Sequence, residues 1–238
     1  VDDITPTAFE EANGSGSGSY TTDFGSGMDG SMSIAYSNGD ILGTGISVKY
    51  SYYPRLDGTT NNEKAASGDS AKDSAESINV GIPLAGLPII GSSPLGGAKI
   101  TLGYENSDSI VTDAQAKEGG TAAVVIPVGA LSVGYQKKAY QSVGTTGDQD
   151  TFGFFKDDIW GIAYAVSDEL AVSYNVYTSD RHKHSNTNGQ VDQETKAINL
   201  AYTVGGLTLA FQDAKTTNSG YALNTDNDTR TISIKTAF

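Results

Sequence analysis

From Met32 onward the large apolar residues of this chain fall on alternate positions. In residues 207–212, Leu207, Leu209 and Phe211 alternate with Thr208, Ala210 and Gln212. The same pattern runs through Met32/Ile34/Tyr36, Ile46/Val48/Tyr50/Tyr52, Ile78/Val80/Ile82/Leu84, Ile100/Leu102/Tyr104, Leu131/Val133/Tyr135, Trp160/Ile162/Tyr164/Val166, Leu170/Val172/Tyr174/Val176, Ile198/Leu200/Tyr202/Val204 and Ile232/Ile234. A period of two places one set of side chains on one face of a strand and the other set on the opposite face. The pattern predicts eleven strands, near residues 32–37, 41–53, 75–84, 98–108, 121–128, 131–142, 157–166, 170–180, 195–204, 207–216 and 229–238.

The connections alternate in length. Asn38-Gly39-Asp40, Gly129-Ala130, Ser167-Asp168-Glu169 and Gly205-Gly206 have hairpin-turn chemistry. The intervening segments 54–74, 109–120, 143–156, 181–194 and 217–228 are longer, polar, and rich in Gly, Asn, Asp, Ser and Thr, while 85–97 is a long exception on the short side. The later short turns recur about every 38 residues, which makes the hairpin the repeating unit of an up-and-down meander.

Two architectures accommodate such a meander. A soluble sandwich dresses its polar face with bulky solvated side chains. Here that face is rich in Gly, Ala, Ser and Asn, the strands approach ten residues, and tyrosines recur near the strand ends on the apolar face. Alternating strands of about 9–11 residues with aromatic girdles, short turns on one side and long loops on the other describe a transmembrane β-barrel. The expected fold is therefore all-β, a transmembrane antiparallel up-and-down barrel. The mean hydropathy of -0.28 is compatible with it, because only alternate residues meet lipid.

Composition removes other classes. The longest apolar run, 122–131, contains Pro127 and Gly129 and is about half the roughly 20 residues of a membrane helix. With 15 Lys plus Arg against 28 Asp plus Glu, the net charge of -13 gives no basic face for nucleic acid. There is no Cys, hence no disulfide, thiolate metal site or thiol nucleophile. Val1-Asp2-Asp3-Ile4 has neither the basic nor the apolar region of a signal peptide, so the expectation is a mature chain or one cut from something longer.

The ending Thr231-Ile232-Ser233-Ile234-Lys235-Thr236-Ala237-Phe238 resembles the closing strand of Gram-negative outer-membrane proteins, although Thr236 stands where a larger apolar residue is usual. The turns, with Val-Gly-Gly-Leu, Val-Gly-Ala-Leu and Val-Ser-Asp-Glu-Leu, resemble those of general diffusion porins of the alphaproteobacterial type. That resemblance covers 32–238 and implies a bacterial outer-membrane location, a homotrimer, contact with lipid and lipopolysaccharide, and passage of small polar solutes and ions. It also implies a long acidic loop folded into the lumen between the fifth and sixth strands. Residues 1–31, an acidic Gly/Ser-rich segment with Asp2, Asp3, Glu10 and Glu11, resemble that loop, and these four acids are its expected constriction residues. With 32–238 supplying the following strands, the expectation is 11 strands of about 16. Lys49, Lys99, Glu105, Lys138 and Lys235 lie on the polar face as candidate pore-wall charges.

The remaining motifs carry little. Gly25-Ser26-Gly27-Met28-Asp29-Gly30 has dinucleotide spacing but no preceding strand or following helix. His182 and His184 offer only a pair of metal ligands in a polar segment. Asp226-Asn227-Asp228 could present oxygens to calcium but lacks the full twelve-residue loop. Without a nucleophile elbow or zincin motif the expectation is no enzyme and no cofactor. The alternatives are a barrel serving as anchor or translocator of the autotransporter type, and a soluble β-rich adhesin.

Overall fold

The structure is a computed structural model, and it describes residues 4–12, 32–54, 74–86, 93, 95–107, 117–141, 152–183 and 191–236. Its strands are β1 (Ile34–Asn38), β2 (Ser47–Tyr53), β3 (Ala75–Pro83), β4 (Lys99–Ser107), β5 (Lys117–Val128), β6 (Leu131–Gln141), β7 (Phe152–Ala165), β8 (Leu170–Lys183), β9 (Gln193–Val204), β10 (Leu207–Thr217) and β11 (Asn227–Thr236). They form one sheet in sequence order, each strand antiparallel to the next. Among the described residues β1 and β11 do not pair with each other, so the sheet is not closed. The meander read from periodicity is thus the observed topology. Helical structure among these residues is confined to three-residue 3-10 turns.

Turn chemistry sets the register. Gly205 and Gly206 both have positive φ, +56° and +82°, the requirement of a two-residue I′ turn, and Val204 pairs directly with Leu207 across it. Because the side-chain period is two, that register keeps Leu209 opposite Tyr202 and Ile234 on one face, and Gln212 opposite Asn199 and Thr231 on the other.

Some boundaries differ from the periodicity. The strand expected over 41–53 begins only at Ser47, preceded by a 3-10 turn, Ile41–Gly43. There the Asn38 and Asp40 carboxamide and carboxylate oxygens accept from the Asp40 and Gly45 amides, at 2.9 and 2.6 Å, offering the backbone an alternative to the ladder. At the long-connection side, by contrast, β5, β7, β8 and β9 run further than expected. Their ends, which read as loop, continue the ladder with cross-strand partners: Phe155 stands opposite Arg181 and Lys156 opposite Asp180 between β7 and β8, and Glu194 stands opposite Thr217 between β9 and β10. The charged residues there are accommodated without breaking the sheet.

The two faces are unlike. One carries exposed Leu102, Val133, Ile162, Ile198, Leu200, Leu209, Ile232 and Ile234 with Tyr104, Tyr135, Trp160, Tyr164 and Tyr202. Trp160 and Tyr174 meet edge-on at 5.5 Å between ring centres. So continuous an apolar surface is far beyond what water-exposed faces tolerate and matches the lipid side of a barrel wall with its aromatic girdle. The opposite face, here called inner, is small and polar. The core lies on this inner face rather than between two sheets: Ala12 packs with Ile159, Tyr177, Ala197 and Ala214, and Tyr140 with Phe155 and Tyr221.

Candidate functional site

Residues 4–12 cross the inner face obliquely, from β6 to β10. The Ile4 amide donates to Gln136 Oε1 on β6 at 2.8 Å, the Ala8 amide to Ser173 Oγ on β8 at 2.9 Å, and Gln212 Nε2 on β10 donates to the Glu10 and Glu11 carbonyls at 3.2 and 2.9 Å. From β6 to β10 is four strand spacings, about 19 Å, against about 26–29 Å for eight fully extended residues, so the segment spans the strands in an open conformation with bends at Thr5 and at Ala8, Phe9 and Glu10. Between these ends Asn175 Nδ2 donates to the Pro6 carbonyl at 2.9 Å and Asn199 Nδ2 to Thr7 Oγ1 at 3.3 Å. Such a segment has no ladder of its own, so its buried polar groups need such partners, each contributing about 0.5–1.5 kcal/mol net. The partners are four side-chain amides and the Ser173 hydroxyl at inner positions of β6, β8, β9 and β10, among which Asn199 pairs directly with Gln212 and with Ser173.

Shape complements this. Gly134 and Gly161 are directly paired on β6 and β7. A Cβ on Gly134 would sit 2.3 Å from Pro6 Cδ, and one on Gly161 would sit 2.4 Å from Asn175 Nδ2 and 2.8 Å from the Pro6 carbonyl oxygen. The two glycines form the groove in which Thr5 and Pro6 lie. Gly161→Val is therefore expected to displace residues 4–8 at an overpacking cost of about 1–3 kcal/mol. Limited proteolysis reads it as faster cleavage within residues 4–12, and an unchanged cleavage rate would show that the groove does not hold the segment.

Beside the segment lies a buried polar cluster. Asp157 is 0% exposed and accepts hydrogen bonds from Tyr177 Oη at 2.7 Å and Ser179 Oγ at 2.6 Å. Lys138, 1% exposed, stands opposite Asp157 in the β6–β7 register, with its ammonium 5.8 Å from the centre of the Tyr177 ring.

The candidate wall charges separate into two groups. Lys49, Lys99 and Lys235 are exposed on the inner face, and Glu105 is half-buried on the same face of β4. The Lys235 ammonium sits 5.2 Å from the centre of the Phe9 ring, linking β11 to the crossing segment. Lys138 departs from the expectation of a water-lined side chain, because the aromatic and carboxylate surroundings enclose it. Glu10 and Glu11 are half-buried, held to β10 through their carbonyls. Asp2, Asp3, His184, the Gly25–Gly30 motif and Phe238 lie outside the described residues.

Of the metal candidates, His182 belongs to β8, where it stacks on Phe154 at 4.3 Å and its Nε2 lies 2.7 Å from Asp180 Oδ2. Asp192, just before β9, has its pKa raised from the ordinary value, first by partial desolvation and then by the charge and hydrogen bond of Asp180, with His182 pulling the other way. Asn227 and Asp228 begin β11. Among the described residues no cluster of three or more His, Asp or Glu side chains is arranged to hold a metal ion.

The amide ladder Gln136, Asn175, Asn199 and Gln212 and the Asp157 cluster were missed by motif reading. Their only sequence signal is phase: each amide occupies an inner position of its strand, where periodicity alone marks it as polar wall.

No protein-family model matches the chain, and no curated protein matches it in sequence. Its fold is nonetheless similar to that of solved outer-membrane channels. Among them is the outer membrane channel DcaP of Acinetobacter baumannii, at 12% identity and a TM-score of 0.60, with 93% of this chain covering 68% of that one. Another is a porin, at 16% identity and a TM-score of 0.52, with 87% of this chain covering 60% of that one. At these identities the likeness is one of fold, and the chain has the strand architecture of a porin-type β-barrel.

Proposed function

We propose that this chain forms the wall of a passive, water-filled pore in a bacterial outer membrane that admits small hydrophilic solutes and ions, with residues 1–31 as its constriction. The observation that carries the reading is the asymmetry of the wall. A lipid-type apolar band lies outside, while inside an acidic segment is bonded across β6–β10 and Lys49, Lys99 and Lys235 remain exposed. Acids on the crossing segment and lysines on the free wall would set a transverse field, which orients polar solutes and disfavours apolar ones. By resemblance to porins, assembly as a homotrimer in lipid and lipopolysaccharide belongs to the same proposal.

The sign of selectivity follows from proximity. Charges on external loops are screened beyond about 8 Å at physiological salt, so Glu10 and Glu11 at the narrow section outweigh the total of -13. Lys49, Lys99 and Lys235 oppose them in part. The expected result is weak cation preference, read as a reversal potential of cationic sign in a salt gradient across a planar bilayer. Replacing Glu10 and Glu11 with Gln should move that potential toward zero. An anionic sign, or a potential indifferent to both substitutions, would remove the segment from the constriction.

A further inference from the structure

A second element crosses the same inner wall. The turn after β10, residues 218–225, leads back over three strands. Gly220 N donates to Gln193 Oε1 on β9 at 2.6 Å, Tyr221 Oη lies 2.8 Å from Ser179 Oγ on β8, and the Tyr221 ring meets Phe155 on β7 at 5.9 Å between centres. The Arg181 guanidinium covers that ring at 4.4 Å. Ser179, Phe155 and Gln193 all belong to the inner face, so the turn folds toward the lumen and leaves Tyr221 7% exposed.

Its backbone is unusual. Asn218, Tyr221 and Asn224 have φ of +52°, +59° and +60°. Asn tolerates this left-handed region, whereas a bulky aromatic residue rarely enters it and does so at a cost of about 1–3 kcal/mol that surrounding contacts must offset. Those contacts are present on both sides: Asn218 Nδ2 donates to the Asp192 carbonyl at 2.9 Å, its Oδ1 accepts from Asn224 N at 3.1 Å, and Ser219 N donates to the Thr225 carbonyl at 2.6 Å. A surface loop has no need to force a tyrosine into this conformation. A loop that must project a rigid ring inward does.

The geometry points to Tyr221 as a second narrowing element: a fixed wedge at the long-connection end of the lumen, on the side already covered by residues 4–12. The inference rests on the pore reading. Both straps lie on β6–β10, so the open path is confined toward β1–β4 and β11, where Lys49, Lys99 and Lys235 are exposed. A solute entering from the long-connection end is then sized first by the inward-folded turn that Tyr221 anchors and afterwards by the acidic segment.

The test uses the full-length protein, with all its strands, reconstituted in planar bilayers, and exploits the absence of cysteine from these 238 residues. Tyr221→Cys removes the ring, and single-channel conductance is expected to rise about 1.5-fold, as expected for a shorter, wider constriction. Reaction of the new thiol with a bulky neutral methanethiosulfonate should return conductance toward the starting value. Leu223→Ala, in the same turn but exposed, should leave it unchanged. Conductance indifferent to both Tyr221→Cys and its labelling overturns the wedge while leaving the pore intact. A full-length wild type that conducts nothing overturns the pore reading and this inference with it. Should Tyr221→Cys fold poorly, Tyr221→Phe, which removes the hydroxyl that meets Ser179 but keeps the Ser179–Asp157 bond and the ring, is expected to increase open-channel noise, and quiet wild-type-like traces would count against the wedge.

Discussion

Arginine at Leu200 or Leu209 is expected to destabilise the folded barrel by about 2–4 kcal/mol if the site lies near the bilayer midplane, falling toward zero at the interfaces. The physical reason is the absence of water on the apolar side: a guanidinium there must snorkel or thin the bilayer. Leu200 stands between Val172 on β8 and Phe211 on β10, and Leu209 between Tyr202 and Ile234, so both lie within the apolar band rather than at its edge. Val172→Arg, in the same row, should behave alike. Arginine at inner Ser77 or Asn79, half-buried beside Lys49 and Glu105, should be tolerated within about 1 kcal/mol because a surface-like position is indifferent to such changes. Denaturant unfolding in lipid vesicles measures both sets. Equal tolerance of arginine on the two faces would invert the assignment of outside and inside.

The second large effect is expected at Asp157. Alanine there removes the acceptor of the Tyr177 and Ser179 hydroxyls and leaves Lys138 enclosed without the carboxylate that faces it in register. Losing one partner of a buried charge pair typically costs about 3–5 kcal/mol, because the remaining charge stays desolvated. Replacing both Asp157 and Lys138 should recover part of that loss, since the uncompensated ammonium is gone, and the non-additivity measures the coupling. Urea midpoints of the two single variants and the double variant in the same detergent give the comparison. Additive losses, or a single-variant loss below about 1 kcal/mol, would mean that the pair carries no such energy.

Much of this was legible without coordinates, for a definable reason. A barrel wall is built from local hairpins, and a period-two pattern with short turns such as Gly205-Gly206 encodes strand, facing and register within a few dozen residues. The eleven-stranded sheet in sequence order, with Leu200 and Tyr202 outward and Asn199 and Ala201 inward, follows from that alone. Strand ends were less legible where charge was taken for loop. Lys156, Arg181 and Glu194 are compatible with a ladder once a partner stands across from them, and the partner is invisible in a single strand's sequence.

The sequence by itself thus determined the wall: its phase, its turns and the face that meets lipid, all properties carried by neighbours along the chain. Only the tertiary structure decided what covers the inner face. That residues 4–12 lie in the Gly134/Gly161 groove, that Gln136 and Gln212 hold the two ends of the segment, that Lys138 is enclosed, and that Tyr221 turns inward are contacts between residues up to 202 positions apart. No periodicity encodes such contacts, because a glycine that makes room for a distant proline and a glycine that merely bends a loop are the same letter, and the difference lies in what packs against it.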